Sequence, residues 1–530
     1  MNATELDMTD RRPIESDKPT HSSRPWPAYC LFALCAGLCL LPLMRTLFIR
    51  SDEGIFLDGG ARIVHGQVFA RDFFEIMGPG SFYWVAAFFK LFGVTFFAAR
   101  LSLFIPLVGT AITIYFLSRK ICARYQSIPC ILLAGPYFGL LGQVESHHVD
   151  SNFFALLAVA CVVLWQSTSR NSLLFLAGIL AGATTCILQP KGALVLFAIL
   201  VWLLLQRTHP KSILFQMSLA AGGFAAVMAL ILAYFSTRGA LGSLYYADIV
   251  FPSQSYGAAN VVPYAQGIHE IWAFFVSQPG GLKWPAPIAA IMIAPALLIA
   301  ALPALLLILA ATYKWKAISP EVLLYWLCGG ALWLSEFHRR DIHHLAYGSP
   351  LLIIVCVHML SQMRIKFAHI SVMTAAACGL CLAAFNSLVA VAVPAIQTPV
   401  GRAAVFGEGS VPVLNFLDSH LHGGEDTFIY PCSPVYYFLS GATNPTPFSC
   451  LFYGQNTSAQ FHTVVDILEQ RQVRYVVWDT LLLPSLASEG AMQGSTPKNP
   501  DQLILEPYLQ SHYTVVDNAN GILVMERKRP

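Results

Sequence analysis

Four short clusters hold the side chains best suited to chemistry. Asp52 and Glu53 are adjacent acids just after the first long apolar run. Either carboxylate can take a proton from a hydroxyl or hold a cation. A structural role competes on even terms, because Ser51-Asp52 also suits the cap of an interfacial helix starting near Glu53. The second cluster is Glu145, His147, His148 and Asp150, in a short turn between two apolar runs. Its plain role is a polar turn whose Asp150 caps the next helix. Two histidines suggest a metal, but i, i+1 and i, i+3 spacing within a turn is a weak ligand pattern. The third is Arg339, Arg340, Asp341, His343 and His344. A guanidinium pair suits a phosphate, and lipid headgroups offer the same chemistry. The fourth is Lys191 in Gln189-Pro190-Lys191-Gly192, a lone cation between apolar runs. Such a residue marks function by default, with snorkelling to the interface as the competing role.

The elements that carry these residues belong to a membrane protein. Of 530 residues 56% are hydrophobic and 12% charged, against about 25% charged in soluble domains. The apolar residues come in runs long enough to span a bilayer. Spans are expected near 27–48, 97–117, 125–142, 151–166, 172–188, 192–205, 213–236, 284–312, 322–337, 346–361 and 369–394. Pro285, Pro287, Pro295 and Pro303 predict a kinked or partly re-entrant eighth segment. The first run is too long for the apolar core of a signal peptide and is followed by no small-residue cleavage site.

Basic residues set the orientation. Arg11, Arg12, Lys18, Arg24, Arg119, Lys120, Arg124, Arg170, Arg207, Lys211, Lys314, Lys316, Arg364 and Lys366 fall in short segments on one side. Arg50, Arg62, Arg71, Lys90, Lys191, Arg238, Lys283, Arg339 and Arg340 are spread over longer loops on the other. That bias predicts a cytoplasmic tail over 1–26 and, after eleven crossings, a C-terminus outside. The outer loop 50–96 has amphipathic bursts broken by Gly78-Pro79-Gly80, as interfacial helices do. The loop 236–284 is similar, with Tyr245, Tyr246, Tyr256, Tyr264, Trp272 and Trp284.

Past residue 394 the chain changes character. Helical segments at 411–421, 459–471 and 502–512 alternate with strand-like ones at 427–430, 475–478, 513–516 and 522–525. That order predicts a small non-cytoplasmic α/β domain over 395–530. Of thirteen cysteines only Cys432 and Cys450 lie in this polar region, and in an oxidising compartment they are expected to pair. No glycine-rich phosphate loop or nucleophile elbow appears in this domain. A net charge of +3, with basic residues scattered between apolar runs, leaves no nucleic-acid footprint.

All four clusters fall on the non-cytoplasmic side of a topology drawn without them. Two supply acids and two supply phosphate-seeking cations. That set suits transfer of a group from a phosphorylated lipid to an acceptor at the outer membrane face.

The stretch Ser51-Asp-Glu-Gly-Ile-Phe-Leu-Asp-Gly-Gly-Ala-Arg62, then Gly66-Gln-Val-Phe-Ala-Arg-Asp-Phe-Phe74 and Gly78-Pro-Gly80, resembles the first outer loop of GT-C glycosyltransferases. The similar groups are protein O-mannosyltransferase-like and lipid A aminoarabinose transferase-like enzymes, with the bacterial lipopolysaccharide-core transferases. The resemblance implies a GT-C membrane domain over 27–394 and an inverting, metal-independent enzyme with no cofactor. It further implies a polyprenyl-phosphate sugar as donor and a glycan, lipid or protein as acceptor. Asp52 takes the position of the catalytic base beside Glu53. Asp150 takes that of the acid in the second outer turn, with Glu145 as the alternative. Lys191, Arg340 and His344 match positions facing the carrier phosphate. A transporter or flippase of a lipid-linked saccharide is the rival from another class. It calls for charges near mid-bilayer, whereas these gather at one face. A non-catalytic assembly subunit is the third.

Overall fold

The computed structural model describes residues 26–140, 143–206, 209–256, 261–264, 269, 286–312, 318–362, 366–483 and 499–529. The tail 1–25 with Arg11, Arg12, Lys18 and Arg24 lies outside them, as do Arg207, Trp272, Lys283, Trp284, Pro285, Lys314, Lys316 and Arg364.

Each of the eleven expected segments is mainly helical over its described residues. Among the described residues, six helices are apolar and long enough to cross a membrane: Trp26–Arg45, Phe96–Ile121, His147–Thr168, Pro210–Thr237, Ala294–Ala311 and His369–Ala392. Ile342–Gly348 and Pro350–Gln362 meet at a 69° bend and make a seventh if counted as one span. Ile128–Gly139, Ser172–Ile187, Gln189–Leu204 and the 17-residue Pro320–Glu336 are shorter. Their cores (Ala177, Ala181, Val195, Trp202, Leu324, Cys328) are buried among neighbours, so less of each faces lipid. The fold is a polytopic helical bundle with a small α/β region after it.

The helix ends sort onto two sides. At the end expected to be cytoplasmic, Tyr325 Oη donates to Leu117 O, Trp202 Nε1 to Pro320 O, and Arg119 lies over the Tyr29 ring. At the other end Arg100 Nη1 donates to the carbonyls of Thr46 and Gln143, and Phe96 N to Val400 O.

The first span stops sooner than expected. Its helix Trp26–Leu40 gives way to a 3₁₀ turn, Leu41–Arg45, whose second residue is Pro42. Proline lacks the N–H that the continuing helix needs. Thr46–Phe48 then forms strand β1. It pairs in parallel with β3 (Gly401–Phe406), which is antiparallel to β2 (Ala395–Thr398). A second sheet has the order β4-β5-β7-β6, from Thr427–Tyr430, Tyr475–Asp479, Tyr513–Ala519 and Ile522–Arg527. The β6–β7 hairpin turns on Asn520-Gly521, both with positive φ, as a two-residue hairpin loop requires. Helices Ser410–His420, Ser458–Gln470 and Leu505–His512 complete the α/β region at the expected places.

The outer loop does not stand apart from that region. Its helix Glu53–Val64 and Phe69, Phe73 and Phe82 share one core with Val413, Tyr436, Tyr437 and Val524. Gly54 is the tightest contact on this seam, since a Cβ there would lie 2.2 Å from Val435 N. The Gly-Pro-Gly break has a similar cause, because a Cβ on Gly78 would lie 2.4 Å from Cys186 O.

Candidate active site

Where the outer loop, the helix ends and the α/β region meet, they line an open-mouthed cavity of about 540 Å³. Its walls carry Asp52, Glu75, His147, His148, His338, Arg339, Asp341, His343 and His344, with the Cys432–Cys450 disulfide on the side of the α/β region. The volume is that of a small-molecule site, roughly 300–1,000 Å³.

Asp52 sits on this wall because β1 ends and the next helix begins there. It is the N-cap of Glu53–Val64, yet its side chain makes no capping bond. The carboxylate is exposed and has no ion-pair partner among the described residues. The residue before Ser51, Arg50, is by contrast committed to Asp479 by two bonds of 2.7 and 2.9 Å.

Glu53, one residue on, turns into the protein. It is fully buried, ion-paired with Arg100, and accepts the Glu145 backbone N–H at 3.1 Å. Burial pushes its carboxyl up, and Arg100 pulls it back only partly. Arg100 also holds Thr46 O and Gln143 O, so this pair fastens β1, helix 96–121 and the second outer turn together. Asp150 is buried beside it, accepting from Ser81 Oγ at 2.6 Å. Glu145 is also buried, and burial, with the charges of Asp150 and Glu53, pushes its carboxyl well up. None of these three acids lines the cavity. All three are buried away from its lining.

Lys191 is buried as well. Its ammonium donates to Ser151 Oγ and Asn152 Oδ1, both at 3.0 Å, and pairs with Glu336 at 2.6 Å. Arg340 donates to Phe337 O at 2.8 Å and stacks over that ring at 4.2 Å. The neighbouring Arg339 and His344 line the cavity instead, both held by Asp341 at 2.6 and 2.9 Å. Burial would raise Asp341, but the His344 hydrogen bond and the charges of His344, Arg339 and His343 outweigh it and hold the carboxyl below its usual range.

Of the residues in the four clusters singled out from sequence, the fold thus brings Asp52, His147, His148, Arg339, Asp341, His343 and His344 to the cavity. Glu53, Asp150 and Lys191 support it from below, and Arg340 is engaged with Phe337. The Cys432–Cys450 bond joins Cα atoms 4.4 Å apart, on the wall.

Sequence reading passed over Glu336, Arg100 and Glu75. Glu336 and Arg100 lie inside apolar helices, which is itself a signal of function or of a buried pair. Glu75 follows Phe73 and Phe74 and has no such mark. Burial raises its carboxyl to about 8 against the pull of Ser449 and Arg62. One of its oxygens has no hydrogen-bond partner.

No family model and no curated protein matches the sequence. Sixteen solved chains match the fold. Among them is ArnT from Cupriavidus metallidurans, in a crystal structure bound to undecaprenyl phosphate. It is 12% identical, with a TM-score of 0.60 over 95% of this chain and 98% of that one. At that identity the likeness speaks for the fold alone, which this chain shares with ArnT.

Proposed function

We propose that this chain is a membrane glycosyltransferase that takes a sugar from a polyprenyl-phosphate carrier and works on the non-cytoplasmic face. One observation carries the reading: Asp52, a carboxylate without an ion-pair partner among the described residues, shares a cavity with cationic and imidazole side chains, His344 and Arg339 among them. The undecaprenyl phosphate in the ArnT crystal supports a carrier of that class. The basic-residue bias supports an outside C-terminus.

In the proposed reaction Asp52 accepts the proton of an acceptor hydroxyl. The oxygen forms its bond to the anomeric carbon from the side opposite the carrier, and configuration inverts. The bond from that carbon to the phosphate oxygen breaks, and polyprenyl phosphate leaves with the electron pair. Phosphate is a good leaving group, so the protein's task is positioning and charge stabilisation. His344 and Arg339 are placed to take the phosphate. Lys191 acts one layer down by fixing Glu336, and Arg340 borders the same turn. Glu53 and Asp150 hold Asp52 and the second turn in place.

The test is detergent-purified protein given a radiolabelled polyprenyl-phosphate sugar. Consumption of donor only when acceptor is supplied supports transfer. Movement of intact donor across a vesicle membrane without consumption would replace the enzyme with a flippase.

A further inference from the structure

We infer that His148, Glu336 and His344 form a binding site for one divalent transition-metal ion, with Zn²⁺ the best match. The three come from separate elements: helix His147–Thr168, the last turn of Pro320–Glu336, and Ile342–Gly348. One ligand atom from each lies within 4.8 Å of the other two. The pair His148 Nδ1 and Glu336 Oε1 is 3.1 Å apart, the spacing of neighbouring ligands about a small cation.

Three further features fit a metal better than a plain hydrogen-bonded cluster. The Glu336 side chain is wholly buried, yet its Oε2 has no hydrogen-bond partner. An orphaned, buried carboxylate oxygen is costly unless something binds it. His344 donates its Nδ1–H to Asp341 Oδ1 at 2.9 Å, which leaves Nε2 as the ligand atom and fixes the ring, as metal-bound histidines usually are. The His148 ring is fixed as well, stacked on Tyr347 at 4.7 Å.

Two imidazoles and one carboxylate make the three-ligand set that leaves a fourth position open. Both histidines line the cavity, so that position faces it. The Lys191 ammonium is satisfied by Ser151, Asn152 and Glu336 and adds positive charge next to the ion. An anion in the open position offsets that excess. The site therefore takes a metal together with a phosphate oxygen, and inorganic phosphate should tighten metal binding.

The experiment uses full-length protein in detergent, stripped with a chelator, and Zn²⁺ alone as the probe. Calorimetric titration and elemental analysis should give one equivalent. His148→Ala and His344→Ala should each lose it, and Asp341→Asn should weaken it about 10- to 100-fold. Added phosphate should raise the affinity of the wild type. Melting temperature and elution profile identify any variant that fails to fold, in which case the remaining variants and the phosphate effect decide. A wild type that binds no Zn²⁺, or folded variants that bind it as the wild type does, would overturn the site. The readout needs neither donor nor turnover, so it stands or falls apart from glycosyl transfer.

Discussion

Adjacent residues that look interchangeable in the sequence have opposite fates in the fold. Asp52 faces the cavity and Glu53 is buried against Arg100. Asp52→Asn keeps shape but removes the base, and turnover should fall about 10²- to 10⁴-fold with donor binding intact. Glu53→Gln should instead cost stability, about 3–5 kcal/mol for breaking a buried pair, with a smaller loss of rate per folded molecule. Turnover assays beside thermal melts separate the two. Near-normal turnover in Asp52→Asn would mean the wrong acid. Glu75 supplies a pH test. Its carboxyl titrates at about 8 when folded and near 4.5 when unfolded, so between those values the folded chain binds the extra proton. That contribution to stability is full at low pH and is lost as pH rises to about 8, by up to about 1.4 kcal/mol per unit. Glu75→Gln should flatten that decline in melting temperature relative to wild type. Parallel curves for the two proteins would refute it. The Asp52 position was legible because acids after an apolar run stand out. Glu336 was not, because its partners Lys191 and His148 lie far away in sequence.

Local pattern marked those elements whose own residues dictate them. The four strands of the larger sheet and the three longer helices around it could be read from alternation and from 3.6-residue spacing. The β1-β3-β2 sheet could not. β1 has three residues, and its place in a sheet depends on a partner at the other end of the chain. The early end of the first helix was hidden for the same reason, since Thr46–Phe48 is apolar enough to extend a span. Gly54 tests the seam these elements form. Gly54→Ala puts a Cβ against Val435 N and should lower the melting temperature, with about 1–3 kcal/mol lost to overpacking. Gly222, within helix Pro210–Thr237, has nothing within 4 Å of such a Cβ. Gly222→Ala should be neutral or slightly stabilising. Equal melting of both variants with wild type would show the seam to be loose.

The whole molecule is a bundle with its cavity at one end. The proposed sidedness predicts that alkaline phosphatase fused after residue 530 is active and that a fusion at Arg207 is silent. The reverse pattern would place the cavity in the cytoplasm and remove the donor reading with it. Alkylation adds a check: Cys432 and Cys450 should resist labelling until reductant is added. The seam between the two ends of the chain has a further consequence, in the order of manufacture. β1 leaves the ribosome early, and its partner β3 follows only after the bundle helices. The Arg50–Asp479 pair joins residues 429 apart. Part of the cavity wall, Cys432, Phe448, Cys450, Phe452 and Leu482, is translated later still. A nascent chain can therefore be fully threaded through the bilayer and yet lack a complete cavity wall. The cavity gains its last wall residues only as synthesis ends.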